Sequence, residues 1–496
     1  MISRASVSHV GLWLGPLVAV LAYLVLPSAE SSGVDGLDTA GRVVAALALW
    51  MAAWWLTEAV PLAATALLPI VILPLTEVST IRDVATPYAN PLIFLFLGGF
   101  IIGLAIQRFG LHQRMALHIL LAVGTSPRRL IAGFMLASAL LSMWISNTAT
   151  AIMMLPIGAS VLALLKQKAV LDATSSNSCG HDDDGAFSNA LVLGIAYACS
   201  IGGIGTLIGT PPNLVLAAFL RDRYGMDLSM TQWMSVGLPL VFILLPLTWY
   251  YLTRIAFRVS DEPLPCSRDV IRSELAGLGP MSRAERIVLT VFVATALGWI
   301  LRPQIAAWTG LSGLSDASIA MLGALLLFVV PVGGPPRMAA MDWDTAKQLP
   351  WGILILFGGG LSLAAAIGAT GVDRFIGASF SHLAGVATIL LLFAVTTVVI
   401  LLTEITSNTA VTTTLMPVLA ATALVTGTPP AMLLTAAALA ASCAFMLPVA
   451  TPPNAVVFAS GYVTIGQMAR AGLGLNVVAL IVISLMIYVV EPLAIP

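Results

Sequence analysis

Charge is what this sequence has least of. Asp, Glu, Lys and Arg make up only 9% of its 496 residues, against about 25% in soluble domains. So few charges cannot cover a surface that faces water, and most of the exterior must face lipid. There, only helices and closed barrels satisfy every backbone group. The alternation of barrel strands is missing. The apolar runs are long and continuous, which selects helices. A net charge of −1 offers no basic surface to a nucleic acid, so no such partner is expected. The four cysteines, Cys179, Cys199, Cys266 and Cys443, show no paired spacing, and Cys199 and Cys443 lie in apolar helices. Neither disulfides nor a metal site is expected from them. The phosphate-binding pattern Gly-x-x-x-x-Gly-Lys-Ser/Thr is absent, which removes direct ATP coupling, and so is His-Glu-x-x-His. The five histidines (His9, His112, His118, His181, His382) fall near span ends or in loops. A serine–histidine hydrolase at mid-membrane is thereby excluded, and no residue is assigned a catalytic role.

What the chain has instead is apolar length. Eleven spans are predicted near 9–27, 41–58, 60–75, 88–106, 190–220, 232–253, 285–301, 316–331, 350–368, 430–459 and 467–490. The first is read as a span, being too long and too weakly basic for a cleaved signal peptide. Two further stretches, 127–165 and 385–425, are about twice the length of a span and carry a polar Ser-Asn-Thr in the middle. Each reads as a re-entrant hairpin. Arg254, Arg258, Arg268, Arg272, Arg283 and Arg286 crowd one connecting segment; Arg108, Arg114, Arg128, Arg129, Lys166 and Lys168 flank the first hairpin. Segment 27–40 holds Glu30, Asp35 and Asp38 and no basic residue. The positive-inside rule then places the basic segments and the N-terminus in the cytoplasm and the C-terminus outside. The first hairpin opens inward, the second outward. Loop 172–188 contains His181-Asp182-Asp183-Asp184, read as a solvated loop in preference to a metal site.

The same two signals occur twice, in the same order. Ser146-Asn147-Thr148-Ala149 recurs as Ser407-Asn408-Thr409-Ala410, and Thr210-Pro211-Pro212-Asn213 recurs as Thr451-Pro452-Pro453-Asn454. With hairpins opening to opposite sides, the halves form an inverted repeat, the pattern of a secondary transporter with its site near the midplane. A passive channel needs no such device. Paired prolines break an apolar helix, and irregular backbone at membrane depth survives only where it lines a cavity or is buried in protein. Freed carbonyls there can bind Na⁺, while hydroxyls, amides and helix N-termini suit an anion.

At these residues the chain resembles the divalent anion/sodium symporter family, the sodium–dicarboxylate and sodium–sulfate carriers. Ala441-Ser442-Cys443-Ala444-Phe445-Met446-Leu447-Pro448-Val449-Ala450-Thr451-Pro452-Pro453-Asn454-Ala455-Val456-Val457 is similar to that family's signature, and Trp54-Trp55-Leu56-Thr57-Glu58-Ala59-Val60-Pro61 resembles its early conserved stretch. The resemblance covers nearly the whole chain. It implies an all-α, multi-pass protein of the cell (inner) membrane, assembled as a homodimer, with scaffold and transport domains. Scaffold helices would occupy 1–126 and, with the cytoplasmic loop, 257–384. The transport domain would comprise 127–256 and 385–496 and move through the bilayer as an elevator. One Na⁺ would sit at Ser142, Ser146, Asn147 and Gly209, the other at Thr403, Ser407, Asn408 and Ala450, with Gly209 and Ala450 giving backbone carbonyls. A small dianionic substrate would meet Ser146, Asn147, Thr148, Thr210, Ser407, Asn408, Thr409 and Thr451, with Pro211 and Pro452 packed against it. The leading expectation is sodium-driven uptake of a C4-dicarboxylate such as succinate. Sodium–sulfate symport and sodium-independent dicarboxylate exchange are the alternatives.

Other residues carry rival readings. Glu404 lies deep in the second hairpin, where a carboxylate can serve a coupling cation or hydrogen-bond the hairpin's own backbone. Glu58 reads as structural, Trp54 and Trp55 as an interfacial belt. Gly98-Gly99 and Gly358-Gly359-Gly360 read as sites of close helix packing.

Overall fold

The structure is a computed structural model that describes residues 4–28, 36–124, 126–173, 183–260, 267–311, 313–333 and 338–494. Most of it is helical. One two-stranded ribbon, Pro331–Gly333 against Met338–Ala339, departs from the all-α expectation. Cys179, Cys266, His181 and Asp182 lie outside the described residues. Cys199 and Cys443 are buried free thiols.

Among the described residues, seven helices are long and apolar enough to cross a membrane. An eighth is added if Arg283–Ile300 and Arg302–Thr309, bent by 80° at their junction, count as one span. The predicted eleven do not appear as eleven unbroken rods, because several apolar stretches are divided. Stretch 60–75 forms the short helices Leu62–Thr65 and Leu68–Leu75. The helix Pro430–Ala441, with 12 residues, covers about 18 Å at 1.5 Å per residue, short of the roughly 30 Å hydrocarbon core.

Eight helices build the repeat, labelled here in chain order. The first hairpin is α1 (Pro127–Ser142) and α2 (Asn147–Ala173), followed by the divided helix α3 (Asp183–Gly203) and α4 (Pro211–Tyr224). The second hairpin is α5 (Thr388–Thr403) and α6 (Asn408–Thr426), followed by α7 (Pro430–Ala441) and α8 (Pro452–Ala459). The interruptions fall on the Ser-Asn-Thr and Thr-Pro-Pro-Asn segments of both halves. Packing crosses between halves: α2 and α3 lie against α8, while α6 and α7 lie against α4. One continuous core of buried apolar residues joins all eight. A smaller core surrounds the helix Thr39–Thr57 and one face of Trp351–Ala369.

The glycine runs sit at close approaches. A Cβ on Gly98 would lie 2.6 Å from the Ala320 backbone, and Cβ atoms on Gly358, Gly359 and Gly360 would collide with Tyr88, the Ala66 carbonyl and Thr413. The tryptophan pair divides. Trp54 is half-buried, its indole N–H donating to the Leu12 carbonyl at 3.2 Å. Trp55 is fully buried and donates to the Leu62 carbonyl at 3.2 Å, so it is a core residue and not part of an interfacial belt. The ring is large enough to anchor the smaller core once its one polar atom has a partner.

Candidate functional site

Four helix starts each follow a serine or a threonine. Thr210 and Thr451 adopt nearly the same extended conformation (φ −146°, ψ 143° and φ −139°, ψ 149°) as N-caps of α4 and α8. The two prolines that follow occupy the first helical positions, where a missing N–H costs nothing. At the hairpin tips, Ser407 is the extended N-cap of α6, and the Ser146 hydroxyl accepts from the Ala149 amide at 3.3 Å as α2 begins. Serine and threonine are favoured at such positions.

All four starts border one cavity of about 950 Å³. Its wall contains each of the ten residues expected to meet substrate: Ser146, Asn147, Thr148, Thr210, Pro211, Ser407, Asn408, Thr409, Thr451 and Pro452. Each helix N-terminus carries roughly half a positive charge. Among the described residues, no Lys, Arg or His lines the cavity, and the one titratable side chain in its wall is that of Glu58. Glu58 is the left-handed C-cap of Thr39–Thr57, at φ 48°. A residue expected to be merely structural thus belongs to the cavity wall.

The two cation sets differ in how far they are assembled. The Asn147 amide satisfies its surroundings when its nitrogen faces the Gly209 carbonyl at 3.3 Å, the Cys199 carbonyl at 3.3 Å and the Ser142 hydroxyl at 2.5 Å. Ser142 and Gly209 therefore both neighbour Asn147, and Ser146 lies on the cavity wall. In the second set, Ser407, Asn408 and Ala450 line the cavity. Thr403 does not; its hydroxyl turns back to the Val399 and Ile400 carbonyls of its own helix. The Asn408 Oδ1 is buried without a partner among the described residues, an open oxygen acceptor of the kind a cation takes.

Glu404 corresponds to Met143 of the first hairpin, each four residues before the hairpin asparagine. Its carboxylate accepts from the amides of Phe445, Met446 and Leu447, each with a contact of 2.9 Å, and from the Asn476 side chain at 2.6 Å. The partners are therefore the α7–α8 loop and a neighbouring helix. They are not the hairpin's own backbone, as one reading had it. Three successive N–H groups make a ready anion cradle. In the first half the hairpin is tied to the break by the opposite polarity: the Thr206 hydroxyl of the α3–α4 loop donates to the Met143 carbonyl at 2.5 Å.

The remaining wall was not foreseen from sequence. Gln107 and Gln348 add polar groups, and Phe100, Trp144 and Phe458 add aromatic surface. Trp144, at the first tip, stacks on Trp299 with rings 6.1 Å apart and nearly parallel. Isolated residues at the ends of apolar runs leave no periodic signal. Among the described residues, no cluster of three or more His, Cys, Asp or Glu side chains could hold a metal ion.

Comparison with known proteins agrees with this architecture. The family described as the sodium:sulfate symporter transmembrane region matches residues 9–494. The sodium-dependent dicarboxylate transporter SdcS of Staphylococcus aureus (strain USA300) is 43% identical over 486 residues, covering 98% of this chain and 91% of the relative. SdcS of Staphylococcus saprophyticus is 43% identical over 490 residues, covering 97% and 91%. Among solved structures, the Alcanivorax borkumensis YdaH transporter superposes with a TM-score of 0.58 at 16% identity, covering 84% of this chain and 89% of its own. Neisseria gonorrhoeae MtrF superposes with a TM-score of 0.58 at 14% identity, covering 98% and 94%. At those identities the likeness is one of fold alone.

Proposed function

The chain belongs to the sodium:sulfate symporter family, as a membrane transporter and not an enzyme, and from that premise we propose that it carries C4-dicarboxylates such as succinate inward together with Na⁺. The observation that carries this reading is the cavity wall. It gathers hydroxyl and amide groups from two hairpin tips and two helix breaks, four helix N-termini in all, yet contains no basic side chain among the described residues. A dianion brought there from water loses strong solvation, and helix ends supply only partial charges. Bound cations supply the rest, so each ligand raises the affinity of the other.

In this reading one Na⁺ is held by Ser142, Ser146, Asn147 and the Gly209 carbonyl, the other by Thr403, Ser407, Asn408 and the Ala450 carbonyl. The two Ser-Asn-Thr tips each receive one carboxylate, with Thr210 and Thr451 beside them and Pro211 and Pro452 against the carbon chain. Helices of the two halves pack on each other, α2 and α3 on α8 and α6 and α7 on α4, which favours movement as one body, an elevator, over small gates at a fixed site. The working unit is a homodimer in the inner membrane with its N-terminus in the cytoplasm.

Sulfate is the second reading, favoured by the family's description and by donors that suit any compact dianion. Uptake of labelled succinate and labelled sulfate into proteoliposomes tests both. Succinate uptake should be fast with Na⁺ outside and near background with choline. Equal uptake in the two buffers would sink the symport reading and leave exchange; sulfate uptake that exceeds succinate would reassign the substrate.

A further inference from the structure

The cavity does not account for the last residue of each Thr-Pro-Pro-Asn segment. Asn213 and Asn454 are completely buried and absent from the cavity wall. The Asn213 side-chain nitrogen donates to the carbonyls of Gly203 at 3.1 Å and Thr206 at 2.8 Å. That of Asn454 donates to the carbonyls of Ala444 at 3.2 Å and Leu447 at 3.1 Å. In both halves the acceptors lie ten and seven residues before the asparagine. The nearer acceptor also takes a backbone N–H in each case, from Gly209 at 3.4 Å and from Ala450 at 3.2 Å.

A divided helix leaves its final carbonyls without partners, and the two prolines after the break bring no N–H to satisfy them. Each asparagine binds two carbonyls of its own break: Gly203, the last residue of α3, and Thr206 of the α3–α4 loop in the first half, and Ala444 and Leu447 of the α7–α8 loop in the second. The residues so held do not line the cavity, whereas Gly209 and Ala450, four before each asparagine, do. The Gly209 carbonyl faces the Asn147 side chain, as an oxygen shared with the hairpin tip should.

We propose that Asn213 and Asn454 are paired positioning residues, one per half, that hold the carbonyls of each break facing away from the cavity so that the Gly209 and Ala450 carbonyls remain available to a cation. The inference rests on the cation sites of the proposed function. It assigns each asparagine to one site only.

The test uses Asn213→Leu and Asn454→Leu in the full-length protein. Leucine has a similar volume and no donor. Hydrogen exchange is followed on peptides spanning 203–210 and 443–451, alongside Na⁺ and succinate half-saturation in proteoliposomes. Asn213→Leu should deprotect 203–210 and leave 443–451 as in the native protein; Asn454→Leu should do the reverse. Na⁺ half-saturation should rise by about tenfold in each, the scale of one or two lost hydrogen bonds. Succinate half-saturation at saturating Na⁺ should move much less. If a leucine variant does not fold, the aspartate variant replaces it: a buried, protonated carboxyl keeps one donor, giving a smaller shift on the same loop. Deprotection of both loops together, or an unchanged Na⁺ curve in a Na⁺-dependent protein, overturns the proposal. Native protein with no Na⁺ dependence overturns the symport reading instead, and the exchange pattern then decides the positioning role.

Discussion

Replacing Glu404 by alanine removes the acceptor of four donors at once: the amides of Phe445, Met446 and Leu447 and the side chain of Asn476. They do not suffer equally. The Phe445 amide keeps the Asn476 Oδ1 at 3.2 Å. Met446 and Leu447 are only partly buried and lead straight into the Pro448–Ala450 part of the cavity wall, so water can reach their amides. The Asn476 nitrogen is left buried with no acceptor. At about 1–3 kcal/mol for each unsatisfied group, discounted for the wetted pair, the loss comes to about 2–4 kcal/mol. An unfolding entropy of roughly 2.1 cal/mol/K per residue, taken over the whole chain, converts this to a fall in Tm of about 2–4 °C. Glu404→Gln retains one carbonyl oxygen and should lose about half as much. Thermal melts by tryptophan fluorescence in detergent, with Na⁺:succinate stoichiometry measured in parallel, separate the two roles open to this carboxylate. Unchanged melts for Glu404→Ala would refute the structural reasoning. A Gln variant with native melting but one Na⁺ fewer per succinate would make Glu404 a cation ligand.

Asn147→Ala and Asn408→Ala should each abolish succinate uptake while the protein still elutes as a folded species from size exclusion, since each removes an amide from the wall of one cavity; near-normal uptake by either would count against a site built from both tips. Gly359→Ala should destabilise by about 1–3 kcal/mol, the usual range for overpacking, because its Cβ meets the Ala66 backbone; Gly277→Ala, whose Cβ meets nothing within 4 Å, is the control in the same melts. Single cysteines at Ala149, half-buried, and Ala410, fully buried, should respond in opposite directions to an impermeant thiol reagent when Na⁺ and succinate are added, once the native cysteines are replaced. Labelling of both from one side, at rates that ligands never alter, would remove the moving-body mechanism.

The parts of this molecule that were legible in its sequence are those that violate the rules of lipid. A Ser-Asn-Thr inside 40 apolar residues and two adjacent prolines in a helix are conspicuous because a bilayer has no water to excuse them. The ten cavity residues share those violations, and the structure gathers them. Features obeying ordinary packing were not legible. Trp55 looks like any interfacial tryptophan until the Leu62 carbonyl is seen to accept its hydrogen bond. Glu58, Gln107 and Gln348 are single polar residues whose meaning depends on distant helices. Glu404 was conspicuous, but its partners lie 41 to 72 residues further along the chain, beyond any local pattern. The number of spans was the weakest expectation, since hydropathy measures apolar length and cannot tell one rod from two pieces at an angle.

The packing of α2 on α8 has a consequence for how the molecule is made. Asn147, where α2 begins, precedes Pro452, where α8 begins, by 305 positions. At about 5–20 residues per second, synthesis needs roughly 15–60 s to cover that interval. In the re-entrant topology proposed above, the first polar tip spends that interval without the helix it packs against. It can wait shallow, near the headgroups, or be held by insertion machinery, but it cannot settle at its final depth. The last stretch of translation therefore completes the first half, and ribosomes stalled before Pro452 should release chains whose early hairpin is still open to membrane-impermeant reagents.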